Sequence, residues 1–578
     1  MTTNILTHFI ALYGETEGGA AFERLQRLIE TYRPRLPDAG TAVFSQRDVI
    51  LITYGDMVRE AKTAPLRTLA DFLYAYLQGA ISIVHILPFF PYSSDDGFSV
   101  IDYKAVNPDL GNWEDVAAIG QRFRLMFDAV INHVSAQSDW FQGFLRDDPY
   151  YRKHFLVMAP GTDLSQVFRP RATPLLTPVQ TVTGQKLVWT TFSDDQVDLN
   201  YSYPDVLLDV METLLYYVER GAEFVRLDAI AFIWKEIGTS CLHLPQTHHV
   251  IQLMRAVLDE VAPQVSLITE TNVPHEDNVS YFGDGANEAQ MVYNFSLPPL
   301  TLHAFYMGNA ESLSHWADSL ALPTDKVTFF NFLASHDGIG VTPAQGILGD
   351  AAVSAMAQRV QALGGHVSYR TKPDGAQSPY ELNITYLDAL ADPDAPDEDV
   401  ALTASRFLAA QAIMLALRGV PGIYFHSLFG SRNWHEGVKQ SGRFRTINRE
   451  KLQRMQLERE LADRHSLQHH IFYGYRRLLQ KRTANSAFHP AGNQQVLFCH
   501  EAVFALLRTS PNDRNHLLCL HNVSNQSHHL VIDLVPLPMP PTVLLTDIIS
   551  GQTYAIADNQ LNLTIAPYQA LWLQGEAE

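Results

Sequence analysis

Residues 204–229, PDVLLDVMETLLYYVERGAEFVRLDA, combine a helical segment with the buried strand that follows it. Valine and leucine side chains recur every four residues from Val206 to Val218, which places them on one face of a helix. Pro204 suits the first turn of that helix and Gly221 suits its end. The apolar run AEFVRLDA follows at once, so this stretch predicts a helix that returns the chain to a buried strand.

Seven further apolar runs alternate with helical segments along the chain, a pattern typical of parallel strands joined by helices. The eight candidate strands are DVILITYGD (48–56), SIVHILPFF (82–90), RLMFDAVIN (124–132), AEFVRLDA (222–229), SLITETN (266–272), QMVYNFS (290–296), VTFFNFLASHD (327–337) and PGIYFHSLF (421–429). Without two long segments that fit no such pattern, they span about 250 residues, the size typical of an eight-stranded α/β barrel. We therefore predict an α/β fold built on a (β/α)8 TIM barrel.

The two long segments follow predicted strands at their carboxyl ends, where barrels of this kind carry their active sites. We expect both to cover a pocket. After the barrel, short alternating strands separated by turn residues predict an all-β domain. The predicted domains are an N-terminal helical extension (1–47), the catalytic barrel (48–133 and 203–489), an inserted domain after strand 3 (134–202), an insertion after strand 7 (338–400) and a C-terminal β-domain (490–578).

The composition excludes several classes of protein. Lys and Arg number 42 against 62 Asp and Glu, which gives a formal charge of −20 and a pI near 5.5. Nucleic acids and anionic membrane surfaces attract basic proteins, so we expect neither as a partner. The cysteines are too few and scattered for a disulfide framework or a zinc site, and no run of eighteen apolar residues predicts a membrane span. Since no targeting signal is visible, we expect a cytoplasmic protein.

Charged and imidazole side chains follow the apolar runs at the ends of four predicted strands. One alone could be structural, but four together bury charges at a cost unless they form a site. Asp228, Glu270 and Asp337 should converge on one pocket. Two carboxyl groups about 5 Å apart let one attack a sugar's anomeric carbon while the other protonates the leaving oxygen. Because Arg226 shares a strand face with Asp228 and would lower its pKa, we predict Asp228 as nucleophile and Glu270 as acid/base.

Five short motifs resemble the signature regions of the α-amylase family of glycoside hydrolases. They are DAVINH (128–133), QVDLN (196–200), VRLDA (225–229), ITETN (268–272) and ASHDG (334–338), in the family's order. The resemblance implies the barrel, the inserted domain after strand 3 and the C-terminal β-domain. It also implies that Asp228 is the nucleophile, Glu270 the acid/base and Asp337 the carboxylate that holds sugar hydroxyl groups in the transition state.

Narrower motifs are similar to the sucrose phosphorylase group of that family, among them LITYGD, HILPFFPYSSDDGFSVIDY, KEIGTSC, NFSLPPLTLHA and SHDGIG. Such enzymes retain the α-configuration through a β-glucosyl-enzyme, and inorganic phosphate rather than water takes the glucose. For Phe98 and Phe192, which would line the pocket, ordinary packing is the alternative. The other glucose contacts that the resemblance implies are His133, Arg226 and His336, with Asp95 and Arg445 as the clamp on the far hydroxyl groups.

This chain departs from sucrose phosphorylases in its long N-terminal extension and in Glu381, a substrate-site position where they usually carry Gln. The segment RPRATPLLTP (169–178) looks instead like relatives that act on 2-O-α-glucosylglycerate or sucrose 6-phosphate. Their acceptors, glycerate and fructose 6-phosphate, are anionic and need cations nearby. Arg169 and Arg171 would supply them, unless they are only a surface pair.

The overall resemblance implies phosphorolysis of 2-O-α-glucosylglycerate to α-glucose 1-phosphate and glycerate. Spacing and composition leave open sucrose, sucrose 6-phosphate and glucosylglycerol as substrates, and an α-glucosidase or transglucosidase as the activity. A non-catalytic carbohydrate-binding relative is disfavoured because all three carboxylates are present.

We expect no cofactor, with inorganic phosphate as the co-substrate. Asn132 follows a pattern that binds calcium in many amylases, but members similar to sucrose phosphorylase generally lack that site, so we predict no metal. The oligomeric state stays open, since the N-terminal extension could cover the bottom of the barrel or mediate a homodimer.

Overall fold

Eight short parallel strands form the centre of a computed structural model of the chain, which describes residues 2–38, 40, 44–171, 173–371, 376–395, 398–539 and 543–575. They are β1 (Ile50–Thr53), β2 (Ile83–Ile86), β3 (Arg124–Ala129), β4 (Ala222–Leu227), β5 (Ser266–Thr269), β6 (Met291–Tyr293), β7 (Thr328–Phe332) and β8 (Val420–Tyr424). Each strand pairs with its neighbours in sequence, and β8 pairs with β1 to close the barrel. The predicted (β/α)8 barrel is confirmed.

Helices surround the barrel, and the longer ones pack apolar side chains against it. Pro204–Glu219 buries the predicted face from Val206 to Val218 against the strands. Among the described residues, no helix combines the length and apolar composition needed to cross a bilayer. The outer helices are Pro65–Tyr76, Trp113–Gly120, Pro204–Glu219, Pro245–Val261, His275–Val279, Leu297–Met307, Glu311–Asp318, Val400–Ala416, Phe425–Phe429, His435–Ser441, Arg454–Ala462 and Leu467–Ala484.

Two insertions leave the barrel at the carboxyl ends of β3 and β7. In the first, Gln196–Asp198 pairs antiparallel with His133–Ser135 and so fastens the insertion to the end of β3. Its other elements are the helix Asp139–Leu145 and a sheet of Val157–Met158, Leu176–Thr181 and Gly184–Trp189. The second contains the helices Thr342–Ala362 and Tyr386–Ala389 and a sheet of Ile339–Gly340, His366–Thr371 and Gln377–Asn383.

The N-terminal extension is helical over Thr2–Tyr32, with a break at Gly14, whose φ of 77° lies in the left-handed region. It packs against the outer helices on either side of β4, Pro204–Glu219 and Pro245–Val261. The Tyr13 hydroxyl donates to the Tyr201 carbonyl at 2.9 Å. The extension therefore covers the side of the barrel.

The C-terminal domain is an antiparallel sheet with two different faces. Val503, Ala505 and Leu507 belong to a core internal to the domain, whereas the alternate residues Phe504 and Leu506 join the core of the barrel. Its strands, in spatial order, are Asn493–Leu497, Val503–Thr509, His516–Asn522, Ala570–Gly575, Leu544–Asp547, Thr553–Ala557, Gln560–Ile565 and His528–Asp533.

Two fully buried arginines lie near the junction between the barrel and this sheet, and one of them, Arg508, bonds across it. Arg508 donates to the carbonyls of Ala416 and His489 at 2.9 Å each. Arg482 donates to the carbonyl of Gly419 at 3.0 Å and to that of Gln46 at 2.8 Å. Burial lowers the pKa of Arg508 to about 9 and that of Arg482 to about 10. Backbone carbonyls rather than carboxylates thus satisfy both guanidinium groups.

Candidate active site

A cleft opens at the carboxyl ends of the barrel strands and is lined by the barrel and both insertions. It brings together the residues predicted from the sequence, except two. Arg226 lies beneath the cleft in β4, and Arg169 lies outside it, where its exposed side chain donates to the Thr173 carbonyl. The lining residues are Asp95, Phe98, His133, Phe168, Arg171, Phe192, Gln196, Asp228, Ala229, Ala231, Phe232, Glu270, Thr271, Asn272, Val273, Phe295, His336, Asp337, Gly338, Tyr380, Glu381 and Arg445.

Asp228 follows β4 directly and is held by a buried guanidinium. Arg226 Nη1 lies 2.7 Å from Asp228 Oδ1 and 2.5 Å from Asp128 Oδ1 on the neighbouring strand. His85 Nε2 lies 2.6 Å from the other Asp128 oxygen, so Arg226 is fixed from below. Burial raises the pKa of Asp228, and the charge of Arg226 opposes that rise.

Glu270 follows β5 and faces the same part of the cleft. Its Oε2 atom accepts a hydrogen bond from the Ala229 amide at 3.0 Å and lies 3.8 Å from Arg226 Nη2. Burial raises the pKa of Glu270 to about 7 against the pull of Arg226, and the negative charges of Asp228 and Asp337 add to the rise. Near neutral pH, Glu270 can therefore carry a proton.

Asp337, after β7, lies beside two guanidinium groups and an imidazole. Arg445 Nη1 lies 2.5 Å from its Oδ1 atom, Arg449 Nη2 lies 3.7 Å from the same atom, and His336 Nε2 lies 3.5 Å from Oδ2. Although burial acts in the opposite direction, Arg445 and its neighbours hold the pKa of Asp337 well below its usual range. Asp337 is therefore an ionised carboxylate, which accepts hydrogen bonds from hydroxyl groups.

Aromatic rings form one wall of the cleft. The Phe98 ring stacks on His336 with centroids 4.7 Å apart and an interplanar angle of 3°. His133 Nε2 lies 2.8 Å from the Phe98 carbonyl, and the Phe192 ring lies 5.4 Å from the His133 ring. Asp95 lines the cleft on a turn just before Phe98. The same aromatic side chains therefore both pack against their neighbours and line the cleft.

Glu381 is buried and bonded to Arg445. Its two oxygens accept from Arg445 Nη2 at 2.8 Å and Nε at 3.1 Å, and Oε1 also accepts from the Gly338 amide at 3.1 Å. Arg445 is therefore balanced by two carboxylates, Glu381 and Asp337. These bonds also join the second insertion to the residues that follow β7.

Arg171 differs from the other arginines of the cleft because it makes no ion pair with any described residue. It lies near Tyr380, whose pKa burial raises to about 12 while the charge of Arg171 opposes the rise. Arg171 also lines an outer recess together with Arg443 and Phe444. The positive charge of Arg171, at the mouth of the cleft, is therefore not paired with a carboxylate of any described residue.

Several lining residues are absent from the sequence-based prediction. Tyr380 precedes Glu381 in SPYELN, and Asn272 ends the motif ITETN, so each adjoins a residue that the motifs identify. The Asn272 Oδ1 atom is buried without a hydrogen-bond partner among the described residues. Phe168 and Arg443 lie in segments without a motif or a periodic pattern, and no sequence signal identifies them.

A lysine lies at the position where amylase-like sequence patterns suggest calcium. Lys235 Nζ lies 2.6 Å from Asp198 Oδ2 and 2.8 Å from Asn132 Oδ1. Asn132 Nδ2 donates to the same Asp198 oxygen at 3.1 Å. The side chains that could bind a cation are therefore already bonded to an ammonium group, and the absence of a metal stays a prediction.

Comparisons with known proteins agree with this architecture. A family model described as the catalytic domain of alpha amylase matches residues 74–341. A glucosylglycerate phosphorylase of Spirochaeta thermophila is 49% identical over 97% of both chains, and one of Allomeiothermus silvanus is 48% identical over 99% of this chain and 98% of its own. A sucrose phosphorylase of Agrobacterium vitis is more distant, at 31% identity over 70% of this chain and 82% of its own.

Among solved structures, a sucrose 6F-phosphate phosphorylase from Thermoanaerobacter thermosaccharolyticum superimposes with a TM-score of 0.72. The match covers 90% of this chain and 98% of that one at 24% identity, and it supports the fold. The barrel, the strand-end carboxylates and the long matches to phosphorylases lead to one conclusion: the chain belongs to the alpha-amylase family, with glucosylglycerate phosphorylases as near relatives and sucrose phosphorylases as more distant ones.

Proposed function

We propose that this enzyme transfers the glucosyl group of 2-O-α-glucosylglycerate to inorganic phosphate, releasing glycerate and α-glucose 1-phosphate. The observation that carries the proposal is the 49% identity, over 97% of both chains, to a phosphorylase named for this glucoside. The sucrose phosphorylase match reaches only 70% of the chain at 31% identity. The cleft supplies the groups that such a transfer requires.

In the first displacement, Asp228 attacks the anomeric carbon and forms a β-glucosyl ester. Arg226 favours the ionised form of this nucleophile, since its Nη1 atom lies 2.7 Å from Asp228 Oδ1. Glu270, whose pKa burial raises to about 7, donates its proton to the C2 oxygen of the departing glycerate. One bond to the anomeric carbon breaks as another forms.

In the second displacement, phosphate attacks the anomeric carbon from the face that glycerate has left, the ester bond to Asp228 breaks, and Asp228 leaves as a carboxylate. Two inversions give net retention, so the product is the α-anomer of glucose 1-phosphate. A phosphate dianion needs no general base, which distinguishes it from water as an acceptor. Asp337 stays in place beside Arg445 throughout and accepts hydrogen bonds from the sugar hydroxyl groups.

Arg171 is the residue that we assign to the anionic acceptors. Arg226 is bonded to two aspartates, and Arg445 is bonded to Asp337 and Glu381. Their positive charges are therefore balanced inside the protein. Arg171 has no carboxylate partner within the part of the chain that the structure describes, and it lies where the acceptor must approach the glucosyl ester.

The proposal is tested by incubating the enzyme with 2-O-α-glucosylglycerate and phosphate and measuring glucose 1-phosphate and free glucose separately. We expect glucose 1-phosphate in stoichiometric balance with glycerate. Release of glucose alone would assign a hydrolase. Sucrose, sucrose 6-phosphate and glucosylglycerol are tested as alternative donors in the same assay. If any of them has a higher kcat/KM than glucosylglycerate, its own acceptor and not glycerate is the natural one.

A further inference from the structure

We propose that Asp195, in the insertion after β3, is a positioning residue that holds the glucose clamp in shape. The clamp turn is defined here as residues 93–99, which carry Asp95 and Phe98 into the cleft. Asp195 itself does not line the cleft, so any effect on glucose must pass through this turn. The inference deepens the proposed function, since it requires only that the cleft binds a glucosyl group.

The clamp turn has an unfavourable backbone conformation. Asp95, Asp96 and Gly97 have φ angles of 53°, 51° and 112°, three consecutive values in the left-handed region. Residues with a Cβ atom avoid that region, yet two aspartates adopt it here. At the third position, a Cβ atom would lie 2.5 Å from the Pro88 carbonyl oxygen, so glycine is required. Such a turn persists only where its surroundings hold it.

Asp195 supplies much of that support through a single carboxylate oxygen. Its Oδ2 atom accepts hydrogen bonds from Ser93 Oγ at 2.5 Å, from Ser99 Oγ at 2.8 Å and from Ser94 Oγ. Ser93 and Ser94 precede the left-handed residues and Ser99 follows them. One carboxylate therefore ties both ends of the turn together, with charge-assisted hydrogen bonds that are stronger than neutral ones.

Other contacts hold the turn from the opposite side and connect it to glucose-binding groups. Arg449 Nη1 lies 2.5 Å from Asp96 Oδ2. Gln196 Nε2, next to Asp195 in sequence, donates to the Phe98 carbonyl at 2.9 Å. Phe98 in turn stacks on His336. Loosening the Asp195 end would therefore displace both a clamp carboxylate and an aromatic wall of the glucose subsite.

The test compares Asp195→Ala with Asp194→Ala, since Asp194 is adjacent and exposed and its side chain has no hydrogen bond with a described residue. Binding of 1-deoxynojirimycin, a glucose-shaped inhibitor, is measured by calorimetry, and KM for glucose 1-phosphate by kinetics. We expect the Kd of the inhibitor and the KM for glucose 1-phosphate each to rise about 10- to 100-fold in Asp195→Ala, the range for lost charge-assisted hydrogen bonds. Both values should stay unchanged in Asp194→Ala. Ser99→Ala should give a smaller rise in the same direction.

The ratio of kcat/KM for glycerate to that for phosphate should stay constant in Asp195→Ala, because the clamp contacts glucose and not the acceptor. A lower melting temperature with unchanged inhibitor binding would reduce Asp195 to a structural link and overturn the proposal. If Asp195→Ala fails to fold, Ser93→Ala and Ser99→Ala decide the question by the same two constants. Because the inhibitor contains no acceptor, its binding tests this proposal even if glucosylglycerate proves not to be the substrate.

Discussion

Glu270 should make phosphorolysis depend on pH in a way that identifies it as the acid. Burial and the charges of Asp228 and Asp337 raise its pKa from 4.5 to about 7, against the pull of Arg226. At 1.36 kcal/mol per pKa unit, the cleft disfavours the ionised form by about 3 kcal/mol. Since glycerate needs a proton to leave, kcat/KM for glucosylglycerate should fall about tenfold per pH unit above pH 7.

Synthesis should respond in the opposite sense. When glycerate attacks the glucosyl-enzyme, Glu270 must accept a proton and therefore must be ionised. In that intermediate Asp228 is an ester without charge, so one of the charges that raise the pKa of Glu270 has disappeared. We expect kcat/KM for glycerate to rise with pH through a pKa below 7 and then to level off.

The assay measures both kcat/KM values between about pH 5 and 9, with glucosylglycerate in one direction and glycerate plus glucose 1-phosphate in the other. The control is Glu270→Gln with α-glucosyl fluoride, whose leaving group needs no proton; this donor should still glucosylate the variant without an alkaline limb. An alkaline limb that survives in the variant would show that another group causes it. Equal pKa values in the two directions would refute the role assigned to the Asp228 charge.

Four further predictions follow from the contacts of individual residues. Asp228→Asn should lower kcat by at least about a thousandfold in both directions because the covalent step is lost, and a mild loss would place the nucleophile elsewhere. Arg171→Ala should reduce kcat/KM for glycerate about 10- to 100-fold while Arg169→Ala, the matched control outside the cleft, has little effect, and equal losses would remove the assignment. Glu381→Gln should lower the free energy of unfolding by about 2 kcal/mol in urea denaturation, because partly buried Arg445 loses one of its two carboxylates, and unchanged stability would contradict that account. An excess of EDTA should leave kcat unchanged because the Lys235 ammonium is bonded to Asp198 and Asn132, whereas inactivation reversed by calcium would show a metal requirement.

The sequence predicts the barrel and its carboxylates because both depend on local pattern. A buried strand must be apolar, so each strand can be recognised in the sequence as an apolar run. A charged residue at the end of such a run is then easily identified. The predicted strand over 48–56 is longer than the observed Ile50–Thr53, since the apolar run continues into the loops that follow the ladder. Asp228, Glu270 and Asp337 come together because the strands of a closed barrel all end at one rim.

The contacts of loop residues cannot be predicted from local sequence pattern in this way. Arg169 and Arg171 are two positions apart in a segment without periodicity, and only the fold of the insertion places one in the cleft and the other outside it. Glu381 is identified by its motif, but its bonds to Arg445 depend on how the second insertion folds back over β7. Asp195 directly precedes the motif QVDLN, but its bonds could not be predicted, since the serines it binds lie about a hundred positions earlier in the chain.

Buried Arg508, at the junction with the C-terminal sheet, limits how this enzyme can be recombined with its relatives. Arg508 comes from the sheet but donates to a carbonyl of the helix Val400–Ala416, and Arg482 joins the residue before β8 to the segment that leads into β1. A chimaera that joins this sheet to another barrel would have to reproduce the position of the Ala416 carbonyl or leave the Arg508 guanidinium group short of a partner in a dry interface, whereas the contacts of Arg482 stay within the barrel and the segment that leads into it. We therefore expect barrel and sheet to be inherited and exchanged as one piece.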